Sequence, residues 1–297
     1  MKLGVGLPGY LGGAVEPAIV IEWARRADQA GFHGVAVHDR PNHDAWDPLA
    51  TLAAAAAVTE RVRLATIVVL LPAYDETLLA MQPAVVDRVS GGRLDLGVGL
   101  GARAEDYQAL GRPFGGRGRR LSEQLRRLHA LWVATVDQEA TGGTPGPAPL
   151  QCPHPPLWVG GYADAAVRRA VTLGDGYLFG AAGVEAIAAK LPAIRRAAED
   201  AGRERFPVGA LAYVALSTDP EELAEGERLL THYYGSLRKP FHLMVHTGDA
   251  AGVGEALDAY RATGLDVLYL FPVIPTVAQL DRWAEDLLPQ VAAPAPR

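Results

Sequence analysis

Asp87-Arg88-Val89-Ser90-Gly91-Gly92-Arg93-Leu94-Asp95-Leu96-Gly97-Val98-Gly99-Leu100-Gly101 holds a helix end, a strand and the turn after it in one short stretch. Gly91 and Gly92 can adopt the left-handed conformation that closes a helix, and that helix opens upstream with the acidic turn Asp75-Glu76-Thr77. Residues 94–99 form a short apolar run of β type. The glycines that follow recur at every second position, which leaves the backbone open to a planar ring or a phosphate, or simply makes a tight turn. Their spacing is not the six-residue G-x-G-x-x-G fingerprint of dinucleotide binding.

Working outward, the same alternation of helix and strand repeats along the chain. Candidate strands are 3–7, 34–38, 64–70, 94–99, 157–160, 176–180, 208–216 and 267–271, separated by helical patterns. Asp47-Pro48 and Asp219-Pro220-Glu221-Glu222 each offer a capping carboxylate followed by proline at the first helical position. Gly31 ends a first helix whose apolar stripe is Val20, Trp23, Ala24 and Ala27. A doubly wound open sheet would alternate as well, but eight units in one chain favour closure into an α/β, (β/α)8 TIM barrel. The expected organisation is a single domain over residues 1–291 with a frayed tail at 292–297. The run Thr141-Gly142-Gly143-Thr144-Pro145-Gly146-Pro147-Ala148-Pro149 is expected to be a loop inside it.

Composition narrows the function. The 297 residues carry 34 acidic against 28 basic side chains, a formal charge of −6, and no basic block that could neutralise a phosphate backbone. No nucleic acid partner is expected, and no apolar run is long enough for a bilayer. The single cysteine, Cys152, excludes an intrachain disulfide and any multi-thiolate metal site. These features lead to the expectation of a soluble, cytoplasmic protein.

The loops after the strands are where a barrel keeps its chemistry. After the second strand, His38-Asp39-Arg40-Pro41-Asn42-His43-Asp44-Ala45-Trp46-Asp47 is the densest polar cluster in the chain. Asp39, Arg40, His43 and Trp46 could supply acid or base, charge stabilisation and an aromatic wall, and the competing account is a solvated loop. After the fifth strand, Gly160, Gly161, Tyr162, Ala163 and Asp164 lead into a helix whose N-terminus is a ready anion site, unless Asp164 caps it. His242 and His246 are four apart and could share a helical face, but no third ligand accompanies them, so no metal is expected.

Taken together, residues 87–101, Ala109-Leu110-Gly111-Arg112-Pro113-Phe114-Gly115-Gly116-Arg117-Gly118, Pro155-Pro156-Leu157-Trp158-Val159-Gly160-Gly161 and Leu173-Gly174-Asp175-Gly176-Tyr177-Leu178 resemble the luciferase-like monooxygenase superfamily, within it the coenzyme F420 branch. The resemblance implies a flavin or deazaflavin ring in the barrel mouth against Asp39, Thr66, Ile67, Val68, Gly97, Gly99 and Gly101. It also implies phosphate at Gly160 to Asp164 with Gly180 and Ala181 nearby, and a non-prolyl cis peptide within residues 67–69. The activity it implies is F420-dependent hydride transfer to or from a small organic substrate. The alternatives are an FMNH2-dependent monooxygenase and a flavin-binding barrel without turnover, and a homodimer is the expected assembly. Deazaflavin-dependent relatives commonly follow the aspartate with a catalytic histidine, whereas this chain has Arg40. His38 or His43 could take that role, or Arg40 could stabilise anionic charge instead. Tyr74-Asp75-Glu76-Thr77 also replaces the Arg and Pro that open the third helix in many relatives, and residues 133–151 are short beside the usual insertion.

Overall fold

The structure, a computed structural model, describes residues 1–134, 146–237 and 244–292. Nine parallel strands run in chain order: β1 (Lys2–Gly6), β2 (Gly34–Val37), β3 (Arg63–Thr66), β4 (Leu94–Val98), β5 (Leu157–Gly160), β6 (Gly176–Ala181), β7 (Val208–Leu216), β8 (Val245–Gly248) and β9 (Val267–Pro272). Eight of them close a ring, because β6 pairs with β7, β7 with β9 and β9 with β1. These are the eight strands anticipated above. The ninth, β8, lies outside the ring and pairs with Tyr213 to Leu216 of β7. It places His246 on a strand, which removes the helical spacing considered for that residue; His242 lies outside the described residues, as do residues 141–145 of the expected loop and 293–297 of the expected tail.

The helices are α1 (Pro17–Ala30), α2 (Pro48–Ala56), α3 (Leu78–Val89), α4 (Ala104–Ala109), α5 (Arg117–Ala134), α6 (Asp164–Leu173), α7 (Val184–Asp200), α8 (Pro220–Tyr234), α9 (Ala250–Ala262) and α10 (Val277–Arg282), the last continuing through a π turn to Ala292. Their caps follow the local sequence. Asp47 accepts from Ala50 N at 2.7 Å and Asp219 from Glu221 N at 2.9 Å, each satisfying a helix N–H that would otherwise lack a partner. Gly31 closes α1 at φ +88°, where a side chain would be strained. Val20, Trp23, Ala24 and Ala27 are wholly buried, with Trp23 edge-on to Trp283 at 5.7 Å.

The ring interior is filled. Tyr269 and Phe271 of β9 occupy the space that Gly4 and Gly6 of β1 leave free. The remaining void, between Thr66, Asp95, Gly97, Trp158 and Tyr269, is about 10 Å³, roughly one water. That space is too small for a cofactor, and the carboxyl ends of the strands are where such a barrel offers one room.

Candidate active site

The floor of the mouth is built where β3 runs on past Thr66. The Ile67–Val68 peptide is cis, inside the segment named from the sequence. Val69 N donates to Gly97 O at 2.8 Å, Gly99 N to Val69 O at 2.9 Å, and Thr66 Oγ1 to Gly97 O at 2.7 Å. The glycine ladder of β4 makes this close approach possible. A Cβ at Gly97 would overlap the Thr66 carbonyl oxygen, one at Gly99 would stand 2.6 Å from Val68 Cγ2, and one at Gly101 2.9 Å from Leu70 Cδ2. Thr66, Val68 and Leu70 thus nest on Gly97, Gly99 and Gly101. The ladder meets neighbouring chain directly, and the face it lifts to the mouth is Val68, partly exposed and seated between Gly99 and Gly160.

Asp39 stands at the edge of this floor. Its Oδ2 accepts from Leu70 N at 2.8 Å and its Oδ1 from the Tyr74 hydroxyl at 2.7 Å. Burial pushes its carboxyl up to about 7, against the pull of those two hydrogen bonds. Beside it, the Arg40 guanidinium lies 5.2 Å from the Tyr233 ring, and its Nε and Nη1 are buried without a hydrogen-bond partner. Arg103 approaches the same ring at 5.8 Å and Tyr234 at 5.7 Å. Asp106, buried on α4, accepts from Asn42 N at 3.2 Å and so pins the loop that carries Arg40. Burial raises its carboxyl above the usual range.

The histidines are engaged elsewhere. His38 is buried against Phe271, ring centroids 3.9 Å apart, and burial pushes its imidazole down to about 4. Its Nδ1 is 2.7 Å from Ile67 O, a carbonyl that can only accept, so Nδ1 carries the proton. Nε2, 3.0 Å from the Tyr213 hydroxyl, then accepts, and Tyr213 in turn accepts from Tyr234 at 2.7 Å. The result is a directed chain, Tyr234 to Tyr213 to His38 to the carbonyl of the cis peptide, with no imidazole nitrogen left for a ligand. His43 turns towards Asp44 and His232, its ring 4.8 Å from that of His232. Trp46 packs over Gly9, where a Cβ would come within 3.3 Å of the indole, and its backbone N donates to Gly9 O at 3.1 Å.

Across the mouth, Gly160, Gly161, Tyr162 and Ala163 enter α6. Ala163 is the cap residue and makes no side-chain capping bond. Asp164 is the first helical residue, exposed, and paired with Lys190 at 3.2 Å, so it does not take the helix donors as a capping Asp164 would have done. Lys190 also donates to Tyr162 O, and Tyr177 OH to Gly161 O. The Tyr162 hydroxyl lies against Gly180, next to Ala181 at the end of β6. Backbone donors at a helix N-terminus beside an ammonium suit a phosphate. Sequence inspection found the loop of residues 38–47 and the glycine segments, but missed Tyr74, Arg103, Asp106, Lys190, Tyr213, Tyr233 and Tyr234. These complete the surroundings from distant segments.

A closed parallel barrel with a buried carboxyl and a helix N-terminus at the strand ends carries its polar groups where a (β/α)8 enzyme keeps its site. A sequence model for "luciferase-like monooxygenase" matches residues 1–266, and the chain belongs to that family. The "flavin-dependent trigonelline monooxygenase, oxygenase component" of Acinetobacter baylyi is 34% identical over 152 residues, 47% of this chain and 42% of that protein. The chain spans about half the length of the curated relatives it matches. Among solved structures, monooxygenase RslO1 from Streptomyces bottropensis superimposes with a TM-score of 0.82 at 27% identity, covering 98% of this chain and all of that one. An F420-dependent secondary alcohol dehydrogenase with an F420-acetone adduct gives 0.77 at 20% identity over 98% of each, a likeness of fold. Family members are oxidoreductases, and the relatives use both kinds of cofactor. No described helix is long and apolar enough to cross a membrane.

Proposed function

We propose that this protein is a reduced-flavin-dependent monooxygenase acting on a small organic substrate, with F420-dependent hydride transfer as the second reading. The observation that carries the order is that no imidazole of the loop after β2 is turned to the mouth. His38 has both nitrogens engaged, His43 turns to His232, and the position after Asp39 is Arg40. The named relatives that are 34% and 33% identical over part of the chain are a flavin-dependent and an FMNH2-dependent monooxygenase, which favours the same order. The second reading is favoured by Asp39, whose carboxyl titrates about 7 and could exchange a proton with a carbonyl or alcohol substrate.

The residues present fit a tricyclic ring with a phosphate. Val68 offers an apolar floor, Arg40 two buried donors without partners, and Gly161 to Asp164 with Lys190 the anion cradle. Reduced FMN, when bound, supplies the two electrons by which one atom of oxygen enters the substrate and the other leaves as water. Arg40 holds a fixed positive charge where anionic character develops, and Asp39 with Tyr74 holds or releases a proton. Tyr10, whose ring packs edge-on against His38 at 5.3 Å and Tyr233 at 5.1 Å, joins Tyr233 and Trp46 in excluding water from the mouth.

The test is calorimetric titration with FMN and F420, each oxidised and reduced, followed by oxygen uptake. Tight binding of reduced FMN with substrate-dependent oxygen consumption is expected; preferential F420 binding without it would install the second reading. In Arg40→Gln, the affinity for the reduced cofactor is expected to fall about tenfold, in line with a charged hydrogen bond worth about 1.5–3 kcal/mol. Unchanged affinity would remove Arg40 from the site.

We also propose a homodimer through α3, where Leu78, Val85 and Val89 expose 54%, 44% and 56% of their surface along one face. Light scattering is expected to give twice the chain mass of 31.5 kDa; a monomer at micromolar concentration would dismiss the interface.

A further inference from the structure

The loop after β2 and the last turn of α8 meet at a cluster for which the proposed reaction has no use. His43, Asp44 and His232 each bring one ligand atom into a common space, all within 4.8 Å of one another. The His43 side chain is only 7% exposed, and neither of its ring nitrogens makes a well-formed hydrogen bond, although the His232 backbone approaches the ring. Burying them without well-aligned partners is unfavourable, and a buried polar atom of this kind suits a ligand. Nδ1 nevertheless stands 2.9 Å from Asp44 Oδ1, off the line that a hydrogen bond needs. Two donors bound tetrahedrally to one zinc ion, each about 2.1 Å from it, lie about 3.4 Å apart, so a small adjustment of these two side chains would admit the ion.

The surroundings suit such an ion. Asp44 is already oriented through its other oxygen, Oδ2, which accepts from Gly13 N at 3.0 Å. The two imidazole rings are tilted by 57°, with His232 exposed on the helix and free to swing closer. Two imidazoles and one carboxylate select zinc, cobalt or nickel over calcium or magnesium, which take oxygen.

We propose that His43, Asp44 and His232 form a binding site for a zinc-class divalent cation, with water completing the coordination. The ion would clip the loop after β2 to α8 and, through Asp44, to the turn at Pro8–Ala14. The nearby Arg40 opposes a second positive charge, so the affinity is moderate, about micromolar.

The full-length chain, dialysed against chelator, is titrated calorimetrically with Zn²⁺ and melted with and without it. One equivalent per chain and a rise in Tm of a few degrees are expected. His43→Ala and His232→Ala are each expected to weaken binding at least tenfold and to abolish the rise, and Asp44→Asn to weaken it less. His154→Ala, beside the exposed Cys152, is expected to bind as the parent does. His232 is exposed, so its variant tests the site without endangering the fold. Failure of the parent to take up zinc, undiminished binding in His43→Ala and His232→Ala, or loss of binding in His154→Ala overturns the proposal.

Discussion

Asp39→Asn is expected to lower turnover at least about 100-fold, the lower range for a general acid or base, while making the protein more stable at pH 8. The stability gain follows from proton linkage. The carboxyl titrates about 7 in the folded chain, against 3.8 when free. Between these values the unfolded chain has released a proton that the native state retains. Parent stability contributed by this group therefore falls as pH rises from about 4 to about 7 and levels off above. The full difference is on the order of 4 kcal/mol. Asparagine has no such proton to lose. Its carbonyl oxygen can still accept from Leu70 N, and its amide can donate to the Tyr74 oxygen, so both contacts survive. Urea unfolding of parent and variant at pH 5 and pH 8, with kcat/KM over the same range, checks both parts. An unaltered kcat/KM would take Asp39 out of the reaction, and a variant advantage no greater at pH 8 than at pH 5 would mean that the buried carboxyl is ionised throughout.

Gly97→Ala is the second large effect. The added methyl would overlap the Thr66 carbonyl oxygen and stand 2.7 Å from Leu178 Cδ1. A side chain could turn aside, but the carbonyl belongs to the backbone leading into the Ile67–Val68 bulge, so β3 must shift away from β4. Overpacking of this kind costs about 3 kcal/mol, which for a chain this long lowers Tm by about 6 °C. Because Val68 rides on the same segment, binding of the reduced cofactor is expected to fall at least tenfold in parallel. Gly115→Ala serves as the control: nothing lies within 4 Å of its Cβ and its φ is not positive. Equal Tm values for the two variants would refute the account of the ladder as a seat for the bulge.

The barrel was legible because each of its strands is an apolar run bounded by glycine, proline or a capping carboxylate. β8 was not, since Val245 to Gly248 is four residues long, partly exposed, and only an outrigger to β7. The site was legible where chemistry is dense in sequence, as in residues 38–47. It was obscure where a partner comes from far along the chain: Tyr74 is 35 residues from Asp39, and Tyr213 is 175 from His38. Aromatic residues on strands and helices look like core from sequence, and Tyr213 and Tyr234 are core by burial. Their hydroxyls link them to His38, and the Tyr234 ring also lies 5.7 Å from Arg103. The alternating glycines were noticed for the correct spacing, but only the neighbouring strand reveals that they receive Thr66, Val68 and Leu70.

β7 has nine residues where β2, β3 and β5 have four, so at about 3.3 Å per residue it runs roughly 16 Å further. Its last residues, reinforced by β8, form a parapet on one side of the mouth. Under the proposed function, an elongated substrate is expected to arrive past Val68, on the side away from β7. Discrimination among substrates should accordingly depend on shape at one end of the molecule and tolerate variety at the other.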